Sequence, residues 1–223
     1  MLGGEDRKRK RLAEAVSKAR AKDEKRLKRA YEQWQADMEE WTSSSGLARK
    51  VLAGGPNAKL DAVRNHNRFA EISDLGSSVS IAVQDNGLIE ATVSVHGTEI
   101  IPDEVYSQLQ SGRLSVKKMP KGRFNELHQD YVCSCVLRVA NELFAILPDE
   151  TVVVTATDEM LNSATGHKEE LPIVSACISR KTFQSLNLAR IDPSDSFDNF
   201  VHNMDFKKTV GFKSVPKVEL DET

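Results

Sequence analysis

SVSIAVQDNGLIEATVSVH, residues 78–96, is the plainest β-hairpin signal in this chain. Val79, Ile81 and Val83 alternate with polar or small residues, and so do Ile89, Ala91, Val93 and Val95 beyond the turn. A two-residue Asn-Gly loop would pair Val83 with Glu90 and send the two apolar sets to opposite faces. A three-residue loop, Asp85-Asn86-Gly87, pairs Val83 with Ile89 and Ile81 with Ala91, so the faces agree. The longer loop is therefore expected, with Gly87 in the left-handed region beside a bulge. Glu90, Thr92, Ser94 and His96 then line the outward face.

On either side of that hairpin, the chain reads as helices around a sheet. Upstream, Asn57 is placed to cap a helix over 58–71, with Leu60, Val63 and Phe69 as buried positions. Downstream come a short helix from Pro102 to about Gln110, a strand at RLSVKK, and then RFNELHQDYVCSCVLRVANELFAILP, residues 123–148. The apolar positions of this last segment cover well over one helical face, which predicts a helix lying across a sheet and ended by Pro148. TVVVTAT (151–157) and PIVSACIS (172–179) are β-branched, apolar runs of the central-strand type. A polar connection, DEMLNSATGHKEEL, joins them. DPSDSFDNFVHNMDF predicts a short helix capped by Ser194 or Asp195, and KKTVGFKSVPKVELDET reads as a loop with an acidic end. The fold class is therefore α+β: a long charged N-terminal helix followed by a largely antiparallel sheet packed against a long apolar helix. The expected divisions are a basic, amphipathic helical arm (1–42), a linker (43–56), the α+β domain (57–216) and an acidic tail (217–223).

The arm holds the strongest feature of the composition. The 223 residues are 39% hydrophobic and 29% charged, with a formal net charge of −2. That small total hides a separation. Arg7, Lys8, Arg9, Lys10, Arg11, Lys18, Arg20, Lys22, Lys25, Arg26, Lys28 and Arg29 face only three acids in the same segment, a surplus of +9, whereas the remainder carries −11. Such a separation suits an arm that meets an anionic partner, or one that folds back on its own acidic body. Residues 5–41 lack Gly and Pro and are rich in helix formers. Leu27, Tyr31, Trp34, Met38 and Trp41 fall at 4-3-4-3 spacing, a seam along one face that contains both tryptophans. Two heptads are too short to hold a coiled coil unaided. The seam is expected to dock on the protein's own body, on a second copy, or on a foreign protein. TSSSGLARKVLAGGPNAK, after the arm, reads as a hinge.

Catalytic signatures are sparse. Cys133 and Cys135 are two apart on a helix, about 200° around it, so they cannot share an ion and read as small buried hydrophobes, as does Cys177 in its strand. His66, His96, His128, His167 and His202 match no ligand spacing, so neither a metal nor another cofactor is expected. No nucleophile elbow, phosphate-cradling glycine loop or zinc-protease helix occurs. Glu90 and Asp158 lack the lysine that a divalent-metal nuclease core would set beside them. The remaining candidate is the loop at Thr165, Gly166 and His167: a hydroxyl, a permissive backbone and a titratable ring between two strands. The same residues suit better a plain turn whose side chains face water.

LHQDYVCSCVLRVANELFAILP, the ATGH loop at 164–167 and MDFKKTVGFKSV carry a resemblance. Over 121–215 the chain resembles the C-terminal portion of an uncharacterised bacterial protein family whose members often have a small β-rich N-terminal domain. A long charged helix stands here where that domain would be. The resemblance implies a bacterial, intracellular setting and no particular reaction.

Two functional readings follow. In the first, a non-enzymatic assembly protein contacts nucleic acid through the twelve arm cations, while the seam and the α+β domain mediate homo-oligomerisation or bind a protein partner. In the second, the domain is an enzyme or ligand-binding module acting near Thr165, Gly166 and His167. A membrane partner is not expected, because Leu12, Val16 and a few alanines give the basic half too narrow an apolar face. No apolar run reaches the roughly 18 residues of a membrane span. The opening MLGGEDRKRK has no apolar core after its charges, so no secretory leader is expected. Three cysteines without zinc-type spacing suit a reducing cytoplasm.

Overall fold

The computed structural model describes residues 3–67, 69, 77–96, 100–161 and 165–219. The chain divides into two compact units, Met1–Arg49 and Lys50–Thr223.

The first unit is helix. α1 runs Gly3–Leu52, 50 residues, with Glu5 and Asp6 in its first turn, where carboxylates complement the positive end of the helix dipole. The helix therefore continues through most of the expected linker at 43–56. Thr42 is accommodated within it, its hydroxyl donating back to the Met38 carbonyl at 2.7 Å. Gly46 costs only about 1 kcal/mol against Ala, which the surrounding turns absorb. The break comes later. Gly54 takes a φ of 79°, its N–H donates to the Val51 carbonyl at 2.9 Å, and the Gly55 N–H reaches the Lys50 carbonyl at 3.2 Å.

The second unit opens with α2, Pro56–His66. Gly55, not Asn57, is the N-cap, because Pro56 occupies the first helical turn, where a missing N–H is harmless. The helix ends at His66, short of the expected residue 71. Val63 and Phe69 are buried and Leu60 is half-buried. β1 (Ser78–Val83) and β2 (Ile89–Ser94) form the hairpin with the expected register, Val83 opposite Ile89 and Ile81 opposite Ala91. Gln84 N–H donates to Leu88 O at 2.9 Å, Gly87 N–H to Gln84 O at 2.8 Å, and Gly87 has φ 82°. Ile89, Ala91, Val93 and Val95 are wholly buried.

The expected helix from Pro102 to Gln110 is instead β3, Glu104–Gln108, paired with β4, Leu114–Lys118, as a separate two-stranded sheet. Its turn repeats the first one: Leu109 N–H to Arg113 O at 2.9 Å, Gly112 N–H to Leu109 O at 2.8 Å, and φ 77° at Gly112. Val105 and Tyr106 are strand formers, and this glycine turn outweighs the weak helical tendency around them.

α3, Lys121–Ile146, lies on the six-stranded sheet, contacting β5 above all, and buries Val132, Val136, Val139, Ala140 and Leu143 completely. The strand order is β1-β2-β5-β6-β7-β8, with β5 at Thr151–Leu161, β6 at Lys168–Ser179, β7 at Val201–Lys207 and β8 at Gly211–Lys213. All its neighbours are antiparallel except β2 and β5, which are parallel. A parallel pair needs a long crossover, and α3 supplies it. β5 and β6 extend well into the segment read as a polar connection, pairing as far as Leu161 with Lys168. α4, Arg180–Ser185, is capped by Ser179, whose hydroxyl accepts from Thr182 N–H.

The end of the chain differs most from the pattern its residues suggest. Asp195–Asn199 is a single 3₁₀ turn, and neither Ser194 nor Asp195 caps it by its side chain. Asp192 does the work instead, accepting from Ser194 N–H at 3.0 Å and Asp195 N–H at 3.2 Å. β7 forms in the second half of the stretch from which only a short helix was expected, and β8 where a loop was expected, with Phe206 opposite Phe212 and the two rings 5.2 Å apart.

Candidate nucleic-acid interface

Along α1, all twelve cations from Arg7 to Arg29 are exposed. They extend over about 33 Å at 1.5 Å per residue, close to the roughly 34 Å of one B-DNA turn. With about 100° per residue, Lys18, Lys22, Lys25 and Arg29 line up on the face opposite the seam. Arg7 to Arg11, being consecutive, encircle the helix. Within the arm, Lys28 Nζ sits 3.9 Å from Glu32 Oε1, both exposed, a contact of little energetic weight. Three acids among twelve cations leave a large positive surplus whichever pairs form.

The seam is exposed as well: Trp34 at 54%, Trp41 at 62% and Leu27 at 72%. Tyr31 and Trp34 stack, with ring centroids 5.7 Å apart and planes at 30°. Leu12 and Val16 are exposed on the continuation of the same face.

Thr165, Gly166 and His167 sit at the tip of the β5–β6 hairpin, all three exposed. The Thr165 hydroxyl donates to Glu169 Oε1 at 2.9 Å and accepts from His167 N–H at 3.3 Å. Gly166 has φ 73°, the left-handed geometry a tight turn needs. Lys168 Nζ meets Glu159 Oε2 across the strands at 2.7 Å. Hydroxyl and glycine thus build the turn itself, and the imidazole faces water.

Other polar groups are brought together that sequence spacing did not connect. His128 lies on α3, buried, with its Nε2 3.7 Å from Asp158 Oδ2 on β5 and without a hydrogen bond among the described residues. Phe212 meets the ring edge-on at 5.4 Å, and Phe124 lies 6.5 Å away. Burial holds the imidazole below its ordinary pKa and pushes the Asp158 carboxyl up. Asp130, two residues on in the sequence, accepts from the Ser194 hydroxyl at 3.1 Å. On a helix, residues two apart diverge, so His128 found its carboxylate on another element. A second buried pair joins Lys59 Nζ to Asp149 Oδ1 at 2.5 Å, with Lys59 also donating to Gly87 O at 3.0 Å. Arg180 donates to the carbonyls of Phe144, Leu147 and Asp149, closing the C-terminal end of α3.

Cys133 and Cys135 are buried and Cys177 is half-buried, and burial raises all three thiols. Among the described residues, no group of three or more His, Cys, Asp or Glu side chains could hold a metal ion, and no helix is long and apolar enough to cross a membrane. No family model matches the chain, and no curated protein or solved structure matches it either.

Proposed function

We propose that this chain is a non-enzymatic assembly protein of the bacterial cytoplasm whose arm grips a nucleic-acid duplex by its phosphates. The observation that carries this reading is the charge separation. Twelve exposed cations sit on one helix against three acids, in a chain whose remainder carries −11. Neutralising phosphates releases condensed counterions and gives affinity without reading bases. Cations around the whole circumference of a rod suit that contact better than a single recognition face does. The seam and the α+β domain serve self-association, and no cofactor takes part. The reading of Thr165, Gly166 and His167 as a ligand site loses ground to the turn that uses them.

A mobility-shift titration of the full chain tests the proposal. With about six phosphate contacts, log affinity falls against log salt with a slope near −5. Replacing Lys18, Lys22, Lys25 and Arg29 together by Gln lowers that slope by about 3 to 4 and weakens binding uniformly across sequences. Equal binding at low salt by a chain lacking residues 1–29 and by the native chain would remove the arm from the interaction.

A further inference from the structure

We infer that the seam of α1 takes a second copy of this chain in parallel, and that a nucleic-acid duplex draws the two cationic ends together. The inference rests on the proposed nucleic-acid role of the arm and adds the geometry of the assembly.

The seam is complementary to itself in one direction. Leu27, Trp34 and Trp41 form one row at seven-residue spacing, and Tyr31 and Met38 form the other. Two parallel helices in register stack these as five apolar layers, like on like. Antiparallel helices set one row against the other and complete only four layers. One such register leaves Trp41 against Glu24, and the other leaves Leu27 against Ser45. The flanking charges agree with the parallel choice. Parallel pairing brings Asp23 of one chain beside Lys28 of the other, five residues on, an opposite-charge contact at the seam's edge. Antiparallel pairing in the second register sets Asp37 against its own copy. All five side chains are 41–72% exposed, so the surface that would pair is open.

The order of features along the helix then gives the duplex its place. α1 is uninterrupted from Gly3 to Leu52, with the cations before the seam. Parallel pairing therefore sets two segments of +9 side by side at one end, where they repel. Two heptads of seam are too little to hold that arrangement firmly. A duplex lying against both segments supplies the missing negative charge, in the manner of paired continuous helices that fork across a groove. Lys18, Lys22, Lys25 and Arg29, on the side away from the seam, stay available to phosphates. Pairing and duplex binding reinforce each other, and salt separates them. Salt weakens the duplex contact by competing for phosphates, yet it strengthens pairing of the unbound chain by screening the +9 segments from each other.

Full-length chain carrying Leu27→Cys, with Cys177→Ser to remove the half-buried thiol, tests the geometry by air-oxidised cross-linking. Mixtures with a chain carrying Met38→Cys, opposite Leu27 in the first antiparallel register, or Ser45→Cys, opposite it in the second, supply the antiparallel controls, and the solution mass is measured with and without a duplex of about three turns. The expected result is a disulfide-linked dimer from Leu27→Cys alone, formed at least tenfold faster with duplex at low salt. Without duplex, the dimer fraction rises with salt. Cross-links found only in a mixture would establish the antiparallel arrangement and overturn the proposal. A chain that remains monomeric on duplex, or dimerises equally with and without it, would overturn it too. The Gln variant described above reports separately on duplex binding. Normal binding without the position-27 cross-link defeats this inference alone, and cross-linking without arm-dependent binding defeats the proposed function.

Discussion

Lys59→Met tests whether the buried pair with Asp149 holds the body together. Lys59 is 7% exposed, and its ammonium bridges Asp149 Oδ1 at 2.5 Å and Gly87 O at 3.0 Å, tying α2 to the β1–β2 turn and to the segment between α3 and β5. The Asp149 Oδ2 atom is already buried without a hydrogen bond among the described residues. Methionine keeps most of the stem but leaves a buried carboxylate unpaired, which costs about 3–5 kcal/mol. Tryptophan fluorescence is the wrong assay, because both tryptophans lie on the arm. Cys133 and Cys135 lie in the core and react only when the body opens, so their labelling rate reports its stability. At about 1.4 kcal/mol per tenfold, the variant should label about two to three and a half decades faster. Lys59→Met combined with Asp149→Leu should recover most of the loss, since a buried pair replaced by apolar groups is close to neutral. A double variant as fast as the single one, or a single variant within tenfold of the native chain, would show that the Lys59–Asp149 pair does not hold the body together.

The same assay checks two further expectations. Gly87→Val should destabilise the body by about 1–3 kcal/mol, because φ 82° strains any β-branched residue although nothing lies within 4 Å of the added Cβ; Gly87→Asn should lose less. His128, held below its ordinary 6.5 by burial and facing Asp158, prefers to stay neutral in the folded chain. The unfolded chain therefore binds its proton first, so stability falls as pH drops from 6.5 toward the lowered folded value. Asp158, raised by burial, works in the opposite sense, gaining stability as it protonates. His128→Met should flatten the loss seen between pH 7 and pH 5, and an unchanged profile would assign that loss to other groups.

The elements legible in the sequence are those whose evidence is local. The 4-3-4-3 seam, the Gly- and Pro-free arm and the wide apolar face of α3 all follow from a 3.6-residue period. The β1–β2 register follows from alternation plus one glycine. The same glycine turn recurs at Gly112, where the β3–β4 hairpin could have been read from Gln110-Ser111-Gly112. Of the candidate sites, the arm's cations and seam were legible because charge and periodicity need no tertiary information. What only the folded chain decided joins residues far apart along it: β2 parallel to β5, β7 beside β6, His128 beside Asp158, Lys59 beside Asp149. Each depends on which strand lies beside which, and on what the crossover through α3 carries into contact. Local propensity is blind to that choice, because its energy comes from burial and pairing across dozens of intervening residues.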